Sequence, residues 1–308
     1  MLGYNFQGSK LAKLWLYGIT LASIILTTQI ATAETVMEKV ARTGVLTAGT
    51  SKDASPFAYA DREGQLVGYS VDMLALIKKQ LEKELGRKIE LKLVAIAPKD
   101  RIPQLVENNV DIICDASSFT WERDRKIDFS VSYSITGTRL LVKQDNYLPI
   151  SQSLVGKRIG VLPGTTNELA MKQAEPRAKI VYFDDRAEGF SALERGKIDA
   201  FAGDSILLES WLQTVKNSED FAILGHYSKE GVACMIPEDN SQFLNNVNYA
   251  LIRFMQSFLA GKRESVVVFD RWFGFQGRVP LSKDLRELML ETMQLVVDFK
   301  EEIPAREL

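Results

Sequence analysis

Apolar positions recur along the chain in two rhythms, and the switches between them mark out its elements. Short apolar runs at 45–49, 89–94, 111–114, 158–161, 180–183 and 200–203 read as buried strands. Between them the spacing changes to three and four. Met73, Leu74, Ile77 and Leu81 form one stripe on a helix over 70–85, and similar spacing predicts helices over 101–107, from Thr166, over 187–194 and over 205–215. Strands alternating with helices predict an α/β fold with largely parallel sheets. A late stretch, 281–308, carries Leu285, Leu288, Met289 and Met293 at helical spacing and reads as an amphipathic helix.

The pattern contains an internal echo. LVENNVDIIC (105–114) and LERGKIDAFA (193–202) both run from a helix end through a tight turn to an Asp and a short buried strand. In both, Leu and Asp stand six apart, at Leu105 and Asp111 and at Leu193 and Asp199. Equivalent placement in two strand–helix halves predicts two lobes of one architecture. Ligands of open α/β sheets bind beyond the carboxyl ends of the strands, so the segments after residues 114 and 203 are where a site is expected.

The first 33 residues follow a different logic. Lys10 and Lys13 precede the apolar run 14–26, and Ala31-Thr32-Ala33 supplies a small-residue cleavage site. This is the pattern of a secretory signal peptide cut after about Ala33, and the run is shorter than the roughly 20 residues a membrane span needs. Export to the periplasm is expected. The whole chain carries 38 basic and 40 acidic residues, 25% charged and 46% hydrophobic, an ordinary globular composition with no basic bias toward nucleic acid. In an exported protein the two cysteines, Cys114 and Cys234, most simply form one disulfide, with two buried free thiols as the alternative. Their spacing matches no metal motif and the one histidine, His226, stands alone, so neither a metal site nor a histidine-based triad is expected.

Three segments hold candidate chemistry. CDASSFTWERDRKIDFS (114–130) sets five charged residues, Glu122 to Lys126, behind small hydroxyl residues; by default such a run is a solvated face. Asp204-Ser205 opens the helix after the second echo strand. The stretch IGVLPGTTNE (159–168) is a strand and a glycine turn. Its Thr165 and Glu168 have capping-box spacing, so it marks a helix N-terminus that favours an anion or simply caps itself. It lacks the Gly-Lys-Ser/Thr of a phosphate-binding P-loop. One anion site, one strong cation and one acid at strand ends form the inventory a free amino acid needs: a forked arginine for the carboxylate and an acid for the ammonium.

These residues carry a resemblance. Pro56-Phe57-Ala58-Tyr59, Gly68-Tyr69-Ser70-Val71-Asp72, Arg101-Ile102-Pro103, Glu122-Arg123 leading to Asp128-Phe129-Ser130, Gly137-Thr138-Arg139-Leu140-Leu141, Gly164-Thr165-Thr166 and Arg271-Trp272-Phe273 occur in one order through nearly all of the mature chain. The chain resembles the bacterial extracellular solute-binding proteins of family 3, which serve polar amino-acid ABC importers, most of all their glutamate/aspartate-binding branch. The resemblance implies the two-lobed periplasmic binding protein fold (type II), two Rossmann-like lobes joined by a two-strand hinge. Residues 34–135 and 233–308 would form the first lobe, 138–228 the second, with hinges at 133–137 and 228–232. Both cysteines then fall in the first lobe, where a disulfide would close a long loop and contribute about 2–4 kcal/mol.

Carried over residue by residue, the resemblance implies that Arg123 grips the α-carboxylate, beside the Ser118 hydroxyl. The Ala116 carbonyl and the Asp204 carboxylate hold the ammonium, and Thr165 and Thr166 offer hydroxyl and N–H groups. Arg101 and Arg186 stand where the acidic-ligand branch places cations for a side-chain carboxylate, with His in that branch where Arg186 stands. Two departures follow: Ser51, with Lys52 beside it, replaces an arginine, and Pro98 replaces a hydroxyl residue. Losing one cation brings glutamine and asparagine within reach alongside glutamate and aspartate. Phe57 and Tyr59 either wall the pocket or belong to the core. The implied partners are a small-molecule ligand and a membrane permease; no cofactor is implied, and a monomer is expected. A cyclohexadienyl dehydratase on the same fold is the rival reading, with Glu168 or Asp204 as its general acid. A receptor sensor domain is disfavoured.

Overall fold

The computed structural model describes residues 34–144 and 154–300, with Met1 and Gly3. The signal peptide read at 1–33 thus lies outside the described residues, apart from those two. In chain order, helix α1 (Val36–Thr43) leads to strand β1 (Val45–Thr50), three short strands β2 (Asp53–Ala54), β3 (Ala58–Ala60) and β4 (Leu66–Val67), and helix α2 (Tyr69–Leu85). Strand β5 (Glu90–Ala95), helix α3 (Arg101–Val106), strand β6 (Ile112–Ile113), helix α4 (Trp121–Asp124) and strand β7 (Asp128–Phe129) follow. Strand β8 (Ser134–Thr136) carries the chain to β9 (Thr138–Lys143), β10 (Arg158–Val161), α5 (Thr166–Ala174), β11 (Lys179–Tyr182), α6 (Arg186–Glu194), β12 (Ala200–Asp204), α7 (Ser205–Leu212) and β13 (Phe221–Leu224). Strand β14 (Glu230–Val232) brings it back to β15 (Met235–Ile236) and to helices α8 (Ser241–Leu259), α9 (Arg263–Phe273) and α10 (Lys283–Lys300).

Two five-stranded sheets result, β5-β1-β6-β15-β7 and β11-β10-β12-β9-β13. Position by position they are the same sheet. In each, the first three strands are parallel and the fourth runs antiparallel to both its neighbours. The sheets are therefore mixed, where the sequence pattern gave largely parallel ones. The reason is the crossing of the chain. Strands β8 and β14 pair antiparallel as the bridge between the halves. Strands β9 and β15 each start where that bridge ends, so they run away from it, against the strands that run toward it. The chain from Thr35 onward forms one compact unit.

The internal echo has a structural meaning. Asp111 N–H donates to the Thr47 carbonyl at 2.8 Å while its carboxylate accepts the Thr47 N–H at 2.8 Å. Asp199 does the same with Arg158, at 2.8 and 2.7 Å. The aspartates thus pin the entry of β6 to β1 and of β12 to β10, and Leu105 and Leu193 are fully buried.

The second sheet is buried on both faces, which is why its strands read as unbroken apolar runs. Along β9, Leu140 and Val142 join Ile159, Val161, Ala200 and Ala202 in one core; Leu141 points the other way, to Phe190, Leu193, Phe201 and Leu208. The first half is larger. Helices α2, α8, α9 and α10 supply Met73, Leu74, Ile77, Phe243, Leu251, Phe269, Met289 and Met293 to its core. The amphipathic stripe read at 281–308 is this packing face, described as far as Lys300. Helices α1, α8 and α9 escape the periodicity reading. Helix α1 is set locally: Thr35 and Glu38 form a full capping box, and Gly44 closes it with φ 72°. Cys114 and Cys234 form a disulfide. They flank the β6–β15 pairing of Ile113 with Met235, so the bond staples strands the sheet already makes neighbours.

Candidate functional site

The two halves meet across a cleft at the carboxyl ends of their parallel strands. Arg186 Nη1 pairs with Asp53 Oδ1 at 2.8 Å, Ser210 Oγ with Ser55 Oγ at 2.9 Å, Lys99 Nζ with Asp184 Oδ1 at 3.7 Å, and Arg123 Nη2 donates to the Gly164 carbonyl at 2.9 Å. Each contact joins a residue of one half to a residue of the other, so the cleft is closed. Gly164, at φ +73°, comes so near that an added Cβ would lie 3.0 Å from Lys99 Cα.

Arg123 sits on the short helix α4, capped by Thr120. Its Nη1 donates to the Ser118 carbonyl at 2.7 Å and its Nη2 to Gly164, so one guanidinium is held by backbone from both halves. Three of its five N–H groups remain, enough for a forked pair with a carboxylate. Burial first, then the nearby Arg101, hold its pKa below the usual value, against the pull of Asp115, Glu230 and Asp204. The charge run therefore divides. Arg123 is half-buried toward the cleft, while Glu122, Arg125 and Lys126 are exposed.

Asp204 ends β12 and is buried across from it. Its Oδ2 accepts from Asn167 Nδ2 at 3.5 Å, and its Oδ1 has no partner. Burial, then the Glu230 carboxylate, push its pKa up to about 7, against Arg186, Asn167 and Arg101. Asn167 is in turn oriented by Thr138, whose hydroxyl donates to its Oδ1 at 2.8 Å.

Six buried side-chain atoms lack a hydrogen-bond partner among the described residues: Arg101 Nε, Ser118 Oγ, Ser134 Oγ, Thr136 Oγ1, Asp204 Oδ1 and Glu230 Oε2. Strand register groups four of them. Glu230 lies opposite Thr136 and Val232 opposite Ser134, while Ser118 bridges Val232 from its other side. Ser118, Ser134, Thr136 and Glu230 therefore share one face of the bridge. Each such atom left unpaired costs about 1–3 kcal/mol, so four on one face mark a polar binding surface rather than a core.

The remaining candidates fall in several places. Arg101 is buried at the start of α3, with its Nη2 at 2.6 Å from Asp115 Oδ2 and at 3.0 Å from Ser51 Oγ. Ser51 is buried too and donates to Asp115 Oδ2 at 2.8 Å. Arg186 begins α6 against Asp53. Ala116 is buried in the loop after β6, Thr166 is half-buried at the start of α5, and Lys52 is exposed. Thr165 is spent on its own backbone, donating to Leu162 O at 2.8 Å and capping Glu168 N. Its capping box is half formed, because the Glu168 carboxylate accepts from Gly164 N–H at 2.8 Å instead of Thr165 N–H. Burial raises the Glu168 pKa, but Lys172, Gly164 N–H and Tyr182 outweigh it and hold it below the usual range, which ill suits a general acid. Phe57 and Tyr59 belong to the core, against Phe273 and Trp272.

Asp115, Asp53, Asn167 and Glu230 are absent from the candidates read in the sequence. Asp115 is the nearest miss, since it directly follows the strand whose end was searched. Its oxygens take Arg101, Ser51 and Ser117, and its carbonyl accepts from Tyr133 OH at 2.8 Å and Ser70 Oγ at 3.2 Å. All of those partners but Ser117 are distant in sequence, which is why the residue reads as part of a loop. No group of three His, Cys, Asp or Glu among the described residues is placed to hold a metal ion.

Known proteins resemble this chain in sequence and fold. The family model of the bacterial extracellular solute-binding proteins, family 3, matches residues 46–274. The glutamate/aspartate import solute-binding protein of Escherichia coli K12 is 30% identical over 247 residues, 78% of this chain and 80% of its own. The glutamine-binding protein of Geobacillus stearothermophilus is 32% identical over 198 residues, 63% of this chain and 73% of its own. Among solved structures, holo ArgBP from T. maritima matches with a TM-score of 0.63 at 27% identity, covering 76% of this chain and 98% of its own. The ancestral amino acid-binding protein AncCDT-1, a precursor of cyclohexadienyl dehydratase, matches with a TM-score of 0.66 at 26% identity, covering 77% and 99%.

Proposed function

The chain belongs to family 3 of the bacterial extracellular solute-binding proteins, and from that membership we propose that its cleft closes on a polar L-amino acid and delivers it to the membrane permease of an ABC importer. Relatives are named for binding glutamate and aspartate, glutamine, cystine or arginine; the ligand set taken for this chain is glutamate, aspartate, glutamine and asparagine. The lobes are 34–135 with 233–308, and 138–228, turning about hinges at 133–137 and 228–232. The protein works in the periplasm, as a monomer, after loss of residues 1–33.

Arg123 takes the α-carboxylate, beside Ser118. Asp204 takes the ammonium from the opposite lobe, with the Ala116 carbonyl near it. Thr166 contributes from the start of α5, and Arg101 and Arg186 border the side-chain end. The observation that supports this reading is the convergence of unpaired buried polar atoms on one face, Ser118 from the first half with Ser134, Thr136 and Glu230 from the bridging strands. An amino acid supplies partners of both kinds, carboxylate for donors and ammonium for acceptors, and by joining two lobes it stabilises the closed form. The protein acts as a binder and not as an enzyme: Glu168 is tied into a local network, and Asp204 is accounted for by the ammonium.

Calorimetry with the twenty amino acids tests the proposal. A member of the ligand set binds with a Kd of about micromolar or tighter, about −8 kcal/mol. No heat from any of the twenty overturns it.

A further inference from the structure

The side-chain end of the cleft rests on the amino-acid reading above, and its charges are already matched among themselves. Arg101 and Arg186 are the cations that a ligand carboxylate would need. Arg101 is 3% exposed and Asp115 fully buried, and they meet at 2.6 Å. The second Asp115 oxygen is taken by Ser117, and Ser51 bridges the pair. Arg186 is bound twice by Asp53, through Nη1 at 2.8 Å and through its backbone N–H at 3.1 Å. At the rim, Lys99 faces Asp184.

Three guanidinium groups, Arg101, Arg123 and Arg186, therefore stand among four carboxylates, Asp53, Asp115, Asp204 and Glu230. With Arg123 committed to the α-carboxylate, no guanidinium remains without its own acid. A zwitterionic amino acid leaves this balance unchanged. One with an acidic side chain adds a negative charge where carboxylates already outnumber cations, and in a low-dielectric cleft that repulsion is poorly screened. What stays open at this end is one donor, the Arg101 Nε–H, on a guanidinium whose charge Asp115 already balances. A positively charged side chain fares less well than its sign suggests, because Asp115 is saturated.

We propose that the cleft selects amino acids whose side chain ends in an uncharged hydrogen-bonding group, with a terminal amide as the fit, and rejects glutamate and aspartate through the Asp115–Arg101 and Asp53–Arg186 pairs. Asp115 is then the specificity determinant. Freed of it, Arg101 becomes a cation for a ligand carboxylate.

Titration calorimetry on the whole mature protein, with glutamine, asparagine, glutamate, aspartate, arginine and lysine, decides the matter. Glutamine or asparagine is expected to bind at least about tenfold tighter than glutamate and aspartate. D115N is expected to narrow the glutamate-to-glutamine ratio by about tenfold or more. D53N, at a half-exposed residue, gives the same readout for Arg186 should D115N not fold. Glutamate or aspartate binding as tightly as glutamine overturns the inference while leaving the amino-acid reading intact, as does a ratio unmoved in the folded variants. Preference for arginine or lysine overturns the amide assignment. No binding by any amino acid overturns the reading beneath it.

Discussion

At the scale of single residues, Arg123 shows how little charge alone reveals. It lies among four other charged side chains, three of them exposed, yet two backbone carbonyls from opposite halves clamp its guanidinium toward the cleft. The fork and the charge do separate work. Arg123→Ala is expected to weaken amino-acid binding by at least about a hundredfold, since a charge-assisted pair of hydrogen bonds is lost. Arg123→Lys keeps the charge and loses the fork, so it should recover only part of that loss. Isothermal titration of both variants measures the difference; equal affinities for Lys and Arg would argue that charge suffices. The sequence exposed Arg123 because its neighbours form a motif. Asp115 stayed hidden because its meaning depends on Ser51, 64 positions away, and on Arg101, both brought in by folding.

At the scale of elements, the loop from Asp115 to Ser118 is the piece that needs support from behind. The Cys114–Cys234 bond holds its root, closing a loop of 120 residues that contains the whole second half. Chain-entropy reasoning gives a contribution of about 2–5 kcal/mol for such a closure. Replacing both cysteines by alanine should lower the Tm by roughly 10 °C, at about 2–4 °C per kcal/mol for a protein this large, with ligand affinity changed far less. Scanning calorimetry of the double variant with and without ligand checks both parts. A Tm unchanged by the replacement would mean that the β6–β15 pairing already supplies the constraint. Helix α5 teaches the complementary point. Its start was legible from Thr165 and Glu168, but the glutamate turns to Gly164 N–H because the glycine at φ +73° presents that donor. Spacing located the cap; the turn chose the partner.

At the scale of the molecule, closure is expected to be coupled to ionisation. In the closed cleft Asp204 is buried, and burial first and then the Glu230 carboxylate raise its pKa to about 7. Opening returns it to water and to its ordinary range near 4. The closed form thus holds a proton more tightly than the open one. Protonation favours closure, so the ligand-free closed fraction rises as pH falls through about 7 and is lowest well above it. A ligand ammonium does the same work without a proton. Small-angle scattering of the ligand-free protein should show a smaller radius of gyration at pH 5 than at pH 8, with Asp204→Asn small at both. A radius independent of pH would dissociate Asp204 from the closing motion.

By itself the sequence determined what depends on local periodicity and on short motifs. The two rhythms placed the strands and helices they read to within three residues, and the Leu–Asp echo revealed two halves because each copy pins neighbouring strands through one aspartate. Arg123 and Asp204 were readable as candidates because strand ends are where α/β ligands bind. Tertiary structure alone decided the mixed sheets, since strand direction depends on where the chain re-enters from the bridge. It also decided the charge state of the cleft. Arg101 and Arg186 look in sequence like cations awaiting a ligand. Only folding brings Asp115 and Asp53 within 3 Å of them, and electrostatic balance is a property of distances in space, on which positions along a chain are silent.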